Sequence, residues 1–310
     1  MRNINKMSNK ITRAIGKIII KLFGFKTAYN IRYIMDRKVL VKELKRGVEQ
    51  ESGKQQMQKA TKIAILFIGT NKYIDFLPNY YETIKKYFLT KTPKDFFVYT
   101  DIINYDFLKG KKDIIIIPVK HQKWPFTTLM RFKMINQASE KLKKYSHIIY
   151  IDADMIAESH VSEEEFFSHD KPLFGVRHIC YLKKRGEFEF NKESTAAVDK
   201  NDDLSNYCAG TFFGGQSKSF LELTKELEKR IDIDLSKNII AKWHDESQLN
   251  KYFIEKKNQV HTLDSSYIYS ELKPIPKPFK RKFIHLIHNS TKTSTIGRNM
   301  ANDNKDPDVK

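Results

Sequence analysis

Apolar and polar positions alternate along this chain in short blocks. At Lys62 a polar stretch gives way to the apolar run 63–68, IAILFI, which stops at Gly69. That is the pattern of a strand buried on both faces. Residues 75–89 carry apolar positions at helical spacing and end before Thr92-Pro93. The runs 96–99, 114–119, 148–151 and 173–176 predict further strands. Residues 129–142 predict one helix, with Met130, Met134 and Ala138 four apart on a core-packing stripe. Phe212-Phe-Gly-Gly215 leads into a helix around 220–231, and another helix begins after Trp243. Strands alternating with helices predict an α/β fold, a mostly parallel sheet flanked by helices. Residues 183–206 are polar and charged and read as a long mobile loop beside a ligand site.

The pattern divides the chain into an N-terminal extension or stem (1–60), an α/β domain (61–290) and a loose tail (291–310). Within the extension, Ile11, Ile15, Ile18, Ile19, Leu22 and Phe23 recur at helical spacing with Lys10, Arg13, Lys17 and Lys21 between them. Its longest apolar run is too short to cross a bilayer, which takes roughly 20 residues. No signal-peptide core or cleavage site is evident. A basic amphipathic helix of this kind suits an anionic membrane surface; docking on the protein's own core is the alternative.

Composition sharpens this. With 310 residues, 21 Phe and 15 Tyr, the chain can bury a core and is not disordered throughout. Only 12 Gly and 2 Cys exclude collagen-like and disulfide-stapled classes. Cys180 and Cys208 fit structural thiols in a reducing compartment, and zinc-ligand spacing is absent. The net charge of +19 raises the question of nucleic acid, but its distribution answers it. Basic residues outnumber acidic ones 15 to 4 in residues 1–60 and 9 to 4 in 271–310, yet only 32 to 29 in 61–270. A nearly neutral central domain does not track phosphates. The basic stretch 273–282, KPIPKPFKRK, adds membrane attraction or is a solvated connection.

Candidate chemistry begins at Tyr150-Ile-Asp152-Ala153-Asp154, where a strand ends in two carboxylates one residue apart. Open α/β sheets bind ligands beyond the carboxyl ends of their strands. Two carboxylates there can hold Mn2+ or Mg2+, which in turn takes diphosphate oxygens. The second constellation is Trp243-His244-Asp245-Glu246-Ser247. Three ionisable side chains cannot all enter an apolar core, so a polar pocket or a helix N-terminus accounts for them. No P-loop, G-x-G-x-x-G, G-x-S-x-G or H-E-x-x-H is present.

Together, YIDADM (150–155), CAGTFFGG (208–215) and WHDESQLNKY (243–252) resemble the family 6 glycosyltransferases, the family of the histo-blood-group A and B transferases and the α1,3-galactosyltransferase, in its bacterial form. The likeness runs from about residue 62 to 290, in order through Gly69–Tyr73, Tyr99–Asp101, Trp124 with Arg131, and Phe174–His178. It implies a GT-A fold, a Rossmann-like sheet in a single catalytic domain. It also implies retaining transfer of galactose or N-acetylgalactosamine from UDP to a β-galactoside, making an α1,3 link. By the same resemblance, Ile68, Gly69, Thr70 and Tyr73 bind uridine, and Thr128 and Arg131 lie in the donor site. Asp152 and Asp154 are the metal ligands, with Ala153 between them. Ala209 and Thr211 stand where the donor sugar is selected, and His244 and Asp245 contact that sugar. His178 and Trp243 contact the acceptor, and Glu246 is the catalytic glutamate. His288 and Lys292 are loose counterparts of the basic residues that close over UDP.

The expected partners are UDP-galactose or UDP-N-acetylgalactosamine, a galactoside-ended oligosaccharide or glycolipid (fucosylated or not) and a membrane surface, with no nucleic acid. The expected location is the cytoplasm, peripheral on the inner membrane face, and the expected role is surface-glycan or lipopolysaccharide synthesis. A UDP-glucose transferase of the same fold and a non-catalytic, membrane-docked galactoside-binding protein are the competing readings.

Overall fold

A computed structural model describes residues 61–178, 181, 186–270 and 281–286. The expectations for the 1–60 extension, Cys180, residues 273–280, His288, Lys292 and the 291–310 tail lie outside them. Among the described residues no helix is long and apolar enough to cross a membrane.

Seven strands form the main sheet: β1 (Ile63–Ile68), β2 (Lys94–Thr100), β3 (Ile114–Pro118), β4 (His147–Ile151), β6 (Leu173–Arg177), β7 (Cys208–Gln216) and β8 (Val260–Leu263). Their order is β3-β2-β1-β4-β7-β6-β8. Every pairing is parallel except the two made by β7. This is the mostly parallel α/β sheet that the sequence predicts. A small sheet joins β5 (Met155–Ala157), β10 (Phe283–His285) and β9 (Tyr269–Ser270).

The apolar runs are explained by burial on both faces. Ile63, Ile65 and Phe67 of β1 enter one core, which also holds Tyr80 and Ile84 of helix α1 (Leu77–Tyr87). Ala64 and Leu66 enter the opposite core. That second core receives Phe132 and Ile135 of α3 (Arg131–Asn136), Phe220 and Leu227 of α6 (Ser217–Ser236), and Leu249 of α7 (His244–Glu255). At about 1.5–3 kcal/mol for each large apolar side chain buried, both faces stabilise the sheet.

Three expectations are corrected. The 129–142 segment is not one helix but part of α2 (Phe126–Leu129), α3 and α4 (Ser139–Leu142). Met130 and Ala138, both with ψ near 11°, interrupt it, and the N–H groups of Gln137 and Ala138 bond only three residues back. Met134 and Ala138 are core residues, as the stripe predicts. The 75–89 helix begins as a 3-10 turn at Asn71–Phe76 and becomes α-helical at Leu77. The short α5 (Glu163–Phe166) was not foreseen. Finally, residues 186–206 are irregular but anchored. Ser194 Oγ donates to buried Asp234 at 2.6 Å, the Thr195 N–H donates to the same carboxylate at 2.7 Å, and Phe188, Val198 and Tyr207 form a small core of their own.

The double glycine in FFGG allows β7 to lie between β4 and β6. A Cβ on Gly214 would stand 2.5 Å from Ile148 O, and one on Gly215 would stand 2.2 Å from Pro172 O. Only glycine admits neighbouring backbone that closely.

Candidate active site

The carboxyl ends of β1, β2, β4 and β6 share one rim of the sheet, and antiparallel β7 brings its first residues to the same rim. The β6–β7 register passes from Val176↔Ala209 to Gly175↔Phe213, so residues 210–212 bulge free of β6. A bulge re-aims backbone groups. Here the Gly210 N–H and C=O turn toward the Glu246 and Arg131 side chains, while the Thr211 C=O accepts the backbone N–H of Asp152.

β1 leaves the sheet through Ile68 and Gly69, whose N–H donates to Tyr99 O at 3.0 Å. Thr70 Oγ1 pairs with His121 Nδ1 at 2.9 Å. Asp101, after β2, accepts the Asn71 N–H at 2.8 Å and fixes the turn. Tyr73 is 42% exposed and packs on Phe76. Burial, then the charges of Asp154 and Asp152, raise its hydroxyl to about 12, so the phenol stands near the acidic pair.

Asp152 and Asp154 follow β4. The Asp152 N–H donates to Thr211 O at 2.9 Å, and its Oδ1 accepts the Tyr150 hydroxyl. Burial raises the Asp152 carboxyl above its ordinary value; Arg131 opposes that rise and Asp154 adds to it. Ala153 is buried between them in sequence, and Asp154 is 8% exposed. Asp154 Oδ2 lies 3.1 Å from His285 Nε2. Burial would lower His285, but its hydrogen bond to Asp154 and the two carboxylate charges hold it at about 9.

Arg131 is the hub. Its buried guanidinium donates to Gly210 O, lies 3.1 Å from Asp245 Oδ2 and 3.4 Å from Asp152 Oδ1, and stands over the Tyr150 ring. Gly210 is the spacer beyond it: its C=O takes the cation, and its N–H donates to Glu246 Oε2 at 2.8 Å. A Cβ there would be 3.5 Å from Arg131 Nη1 and 3.3 Å from Glu246 Cβ. Burial pushes Asp245 to about 6, against the pull of Arg131. Burial likewise pushes Glu246 to about 7, against the Gly210 N–H and Tyr207. Strongly shifted carboxyls at a strand-end rim are the electrostatic mark of a reactive site.

The helix-start alternative for WHDES holds in part: the N-cap is Trp243 rather than Asp245 or Ser247, with no side-chain cap hydrogen bond. Asp245 and Glu246 occupy the first turn of α7, where the helix dipole favours carboxylates. The Trp243 N–H donates to Ser247 Oγ at 2.9 Å. His244 sits at φ 50°, a left-handed conformation uncommon outside glycine. Its Nδ1 lies 3.5 Å from Thr128 Oγ1, and its ring meets the edge of Trp124 at 5.3 Å. Trp243 is 43% exposed. Asn250 grips both the N–H and C=O of Cys208 at 2.8 Å, fixing α7 to β7. Glu189 accepts the N–H of Lys242 at 2.7 Å and so supports the approach to Trp243.

His178 lies past β6, its N–H on Tyr207 O at 2.8 Å and its ring centroid 5.9 Å from that of Tyr207. Ala209 is buried. Among the described residues the buried Thr211 hydroxyl has no hydrogen-bond partner, so the rim holds a polar atom suited to a polar ligand. The structure thus brings the residues singled out in the sequence to one rim. Sequence reasoning missed Gly210, Tyr207, His121 and His285. Gly210 and Tyr207 flank quoted motif positions, but nothing in the sequence ties the other two to the site.

The donor set fits a divalent cation. Two carboxylates crowd each other at a strand end, and a hard cation relieves that repulsion through oxygen ligands. Among the described residues no group of three or more His, Cys, Asp or Glu is placed to hold a metal ion, so the protein's own contribution there is the carboxylate pair.

The sequence pattern of glycosyltransferase family 6 matches residues 49–297. The chain is 28% identical over 220 residues to histo-blood group ABO system transferase 1 of Rattus norvegicus, covering 68% of this chain and 62% of that one. It is 30% identical over 198 residues to O-antigen biosynthesis glycosyltransferase WbnI of Escherichia coli, covering 63% and 83%. It is 26% identical over 230 residues to globoside alpha-1,3-N-acetylgalactosaminyltransferase 1 of Homo sapiens, covering 70% and 64%. The chain therefore spans less than two thirds of the length of the rat and human relatives.

Proposed function

The chain belongs to glycosyltransferase family 6, and from that premise we propose that it is a retaining hexosyltransferase of GT-A fold. It moves galactose or N-acetylgalactosamine from a UDP-sugar to a β-galactoside and forms an α1,3 link. The observation that carries the reading is the relay through Gly210: cationic Arg131, shared with Asp152 and Asp245, on one side, and anionic Glu246 on the other. A nucleotide-sugar transferase needs such opposed charges, one set for the departing diphosphate and one for the sugar.

In this reading uridine lies beside Tyr73 and Thr70. Asp152 and Asp154 would hold a divalent cation, which when bound would supply positive charge for the diphosphate. Arg131 adds a buried positive charge for the leaving UDP and needs no reorganisation, since its partners already hold it. The bond from the anomeric carbon to phosphate oxygen breaks, and a bond to the acceptor oxygen forms. The acceptor's proton passes to the leaving phosphate oxygen. Ionised Glu246 faces the anomeric carbon, as attacking group or as the charge that stabilises an oxocarbenium-like state. Ala209 and Thr211 border the sugar, and His178 and Trp243 meet the acceptor. The basic 1–60 extension would hold the enzyme at the inner membrane face, where glycolipid acceptors for surface-glycan synthesis lie.

The test is a donor screen: UDP-galactose and UDP-N-acetylgalactosamine against lactose and 2′-fucosyllactose, with and without Mn2+. Transfer to a galactoside with a new α1,3 link, lost in chelator, is the expected result. Galactoside binding with neither transfer nor hydrolysis of any UDP-sugar would overturn the proposal in favour of a binding protein.

A further inference from the structure

Asp234 lies near the C-terminal end of α6 and is only 2% exposed, and the chemistry above does not use it. Its carboxylate accepts three hydrogen bonds from neutral donors. Oδ2 takes the Ser194 hydroxyl at 2.6 Å and the Gln248 amide at 2.9 Å, and Oδ1 takes the Thr195 N–H at 2.7 Å. Gln248, itself buried, also donates to Thr195 Oγ1 at 2.9 Å. One carboxylate thus fastens two separate pieces of chain to α6: the 186–206 segment through Ser194 and Thr195, and α7 through Gln248. Burying a carboxylate is costly unless its oxygens are satisfied, and a satisfied buried network fixes one arrangement of the parts it joins.

Both pieces lead to the acceptor side. Gln248 stands one turn along α7 from His244, which follows Trp243. From Ser194 the segment runs back in short steps. The Ser194 N–H donates to Asn191 O at 3.0 Å, and the Asn191 N–H donates to the Glu189 carboxylate at 2.7 Å. That carboxylate takes the N–H of Lys242, the residue before Trp243. Phe188 meets the Tyr207 ring edge-on at 4.9 Å, and Tyr207 O takes the His178 N–H. The segment therefore touches the supports of both Trp243 and His178. The donor-side groups of α7 have other anchors: Asp245 on Arg131, Glu246 on Gly210, and Asn250 on Cys208. Resting on the transferase reading above, we propose that Asp234 is a positioning residue for the acceptor, holding the 186–206 segment against α7 so that His178 and Trp243 keep the spacing a galactoside needs.

The test compares two rates in one protein: hydrolysis of UDP-galactose or UDP-N-acetylgalactosamine without acceptor, and transfer to lactose or 2′-fucosyllactose. Asparagine at 234 keeps one accepting oxygen and turns an amide N–H toward a donor, so it breaks the clamp at nearly unchanged size. Asp234→Asn is expected to raise the acceptor KM about tenfold or more and to leave the donor KM and the hydrolysis rate within about twofold. Hydrolysis and transfer falling together, as a general loosening of the fold predicts, would overturn the proposal, and so would an unchanged acceptor KM. Ser194→Ala removes a single bond and decides the matter if Asp234→Asn does not fold. Its acceptor KM should rise about twofold to fivefold with hydrolysis unaltered, and no rise overturns the proposal. Amide hydrogen exchange supplies a readout that needs no activity. Exchange in Ser194→Ala should quicken in residues 186–207 and 242–248 together and stay the same in β1 and β4. Quickening in the segment alone would show that α7 is not held through this clamp, and the proposal fails. If the unsubstituted protein transfers no sugar to either galactoside, the transferase reading fails and the acceptor role with it, while the exchange result separately decides whether Asp234 couples the segment to α7.

Discussion

Replacing Glu246 by Gln removes one ionisable group while leaving an oxygen that can still accept the Gly210 N–H. Burial raises the Glu246 carboxyl from an ordinary value of 4.5 to about 7. In the unfolded chain the group titrates near its ordinary value. Its folded-state pKa is the higher one, so the stability it contributes is fully present below about pH 4.5 and is lost as pH rises through 7. Each pH unit between the two values corresponds to about 1.4 kcal/mol, so the ionised group costs about 3 kcal/mol at pH 8. At pH 5 the same reasoning leaves less than about 1 kcal/mol. Glu246→Gln should therefore be more stable than the unsubstituted protein at pH 8, by roughly 5–10 °C in Tm for a domain of this size, with the gain shrinking at pH 5. Thermal unfolding at both pH values checks this without donor, acceptor or metal. The same variant should lose most turnover and keep UDP affinity. A stability difference that does not change between pH 5 and pH 8, or one that favours the unsubstituted protein at pH 8, would refute the idea that the fold holds this carboxylate at a cost. Near-normal kcat would separately refute its catalytic role.

Further outcomes follow from the same geometry. The pH profile of kcat/KM should fall on its acid side around 7 as Glu246 takes up a proton, and the Gln variant's residual rate should lack that limb. Arg131→Met should leave the buried Asp245 without its counter-charge and lower stability by about 3–5 kcal/mol in urea titrations near neutral pH; a loss below about 1 kcal/mol would contradict the hub assignment. Asp154→Asn should weaken Mn2+-dependent UDP binding in calorimetry, and activity unaltered by a chelator would refute a metal role. Gly215→Ala puts a Cβ 2.2 Å from Pro172 O, so it should destabilise the sheet by about 2–3 kcal/mol or more; a normal melting curve would mean β7 can shift away from β6.

Several elements were legible because burial leaves a mark on composition. β1 and β4 are covered on both faces, so nearly every position is apolar and the run stands out. β7 was harder, since Cys208–Gln216 contains three glycines that serve the backbone rather than a side-chain pattern. The four-residue β8 carries His261 and Thr262 among apolar ends and resembles a connection. The helix breaks at Met130 and Ala138 leave the spacing of buried residues intact, so periodicity does not register them. The polar 186–206 segment reads as a free loop because most of its charged side chains are exposed, while Ser194 and Thr195 hide an anchor: Asp234 takes Ser194, and Gln248 donates to both Thr195 and Asp234.

By itself the sequence determined the alternating α/β architecture, the neutral centre between basic flanks, and which short motifs carry carboxylates, because these are properties of neighbouring residues. Only the tertiary structure decided how those motifs meet. Arg131 reaches Asp245 across 114 residues of chain and holds Asp152 beside it, Gly210 sits between that cation and Glu246, and His285 reaches Asp154 through a strand near the other end. The raised carboxyls at 245 and 246 depend on the same assembly. Desolvation and opposed charge act through space, and no local pattern along the chain records the distances that set them.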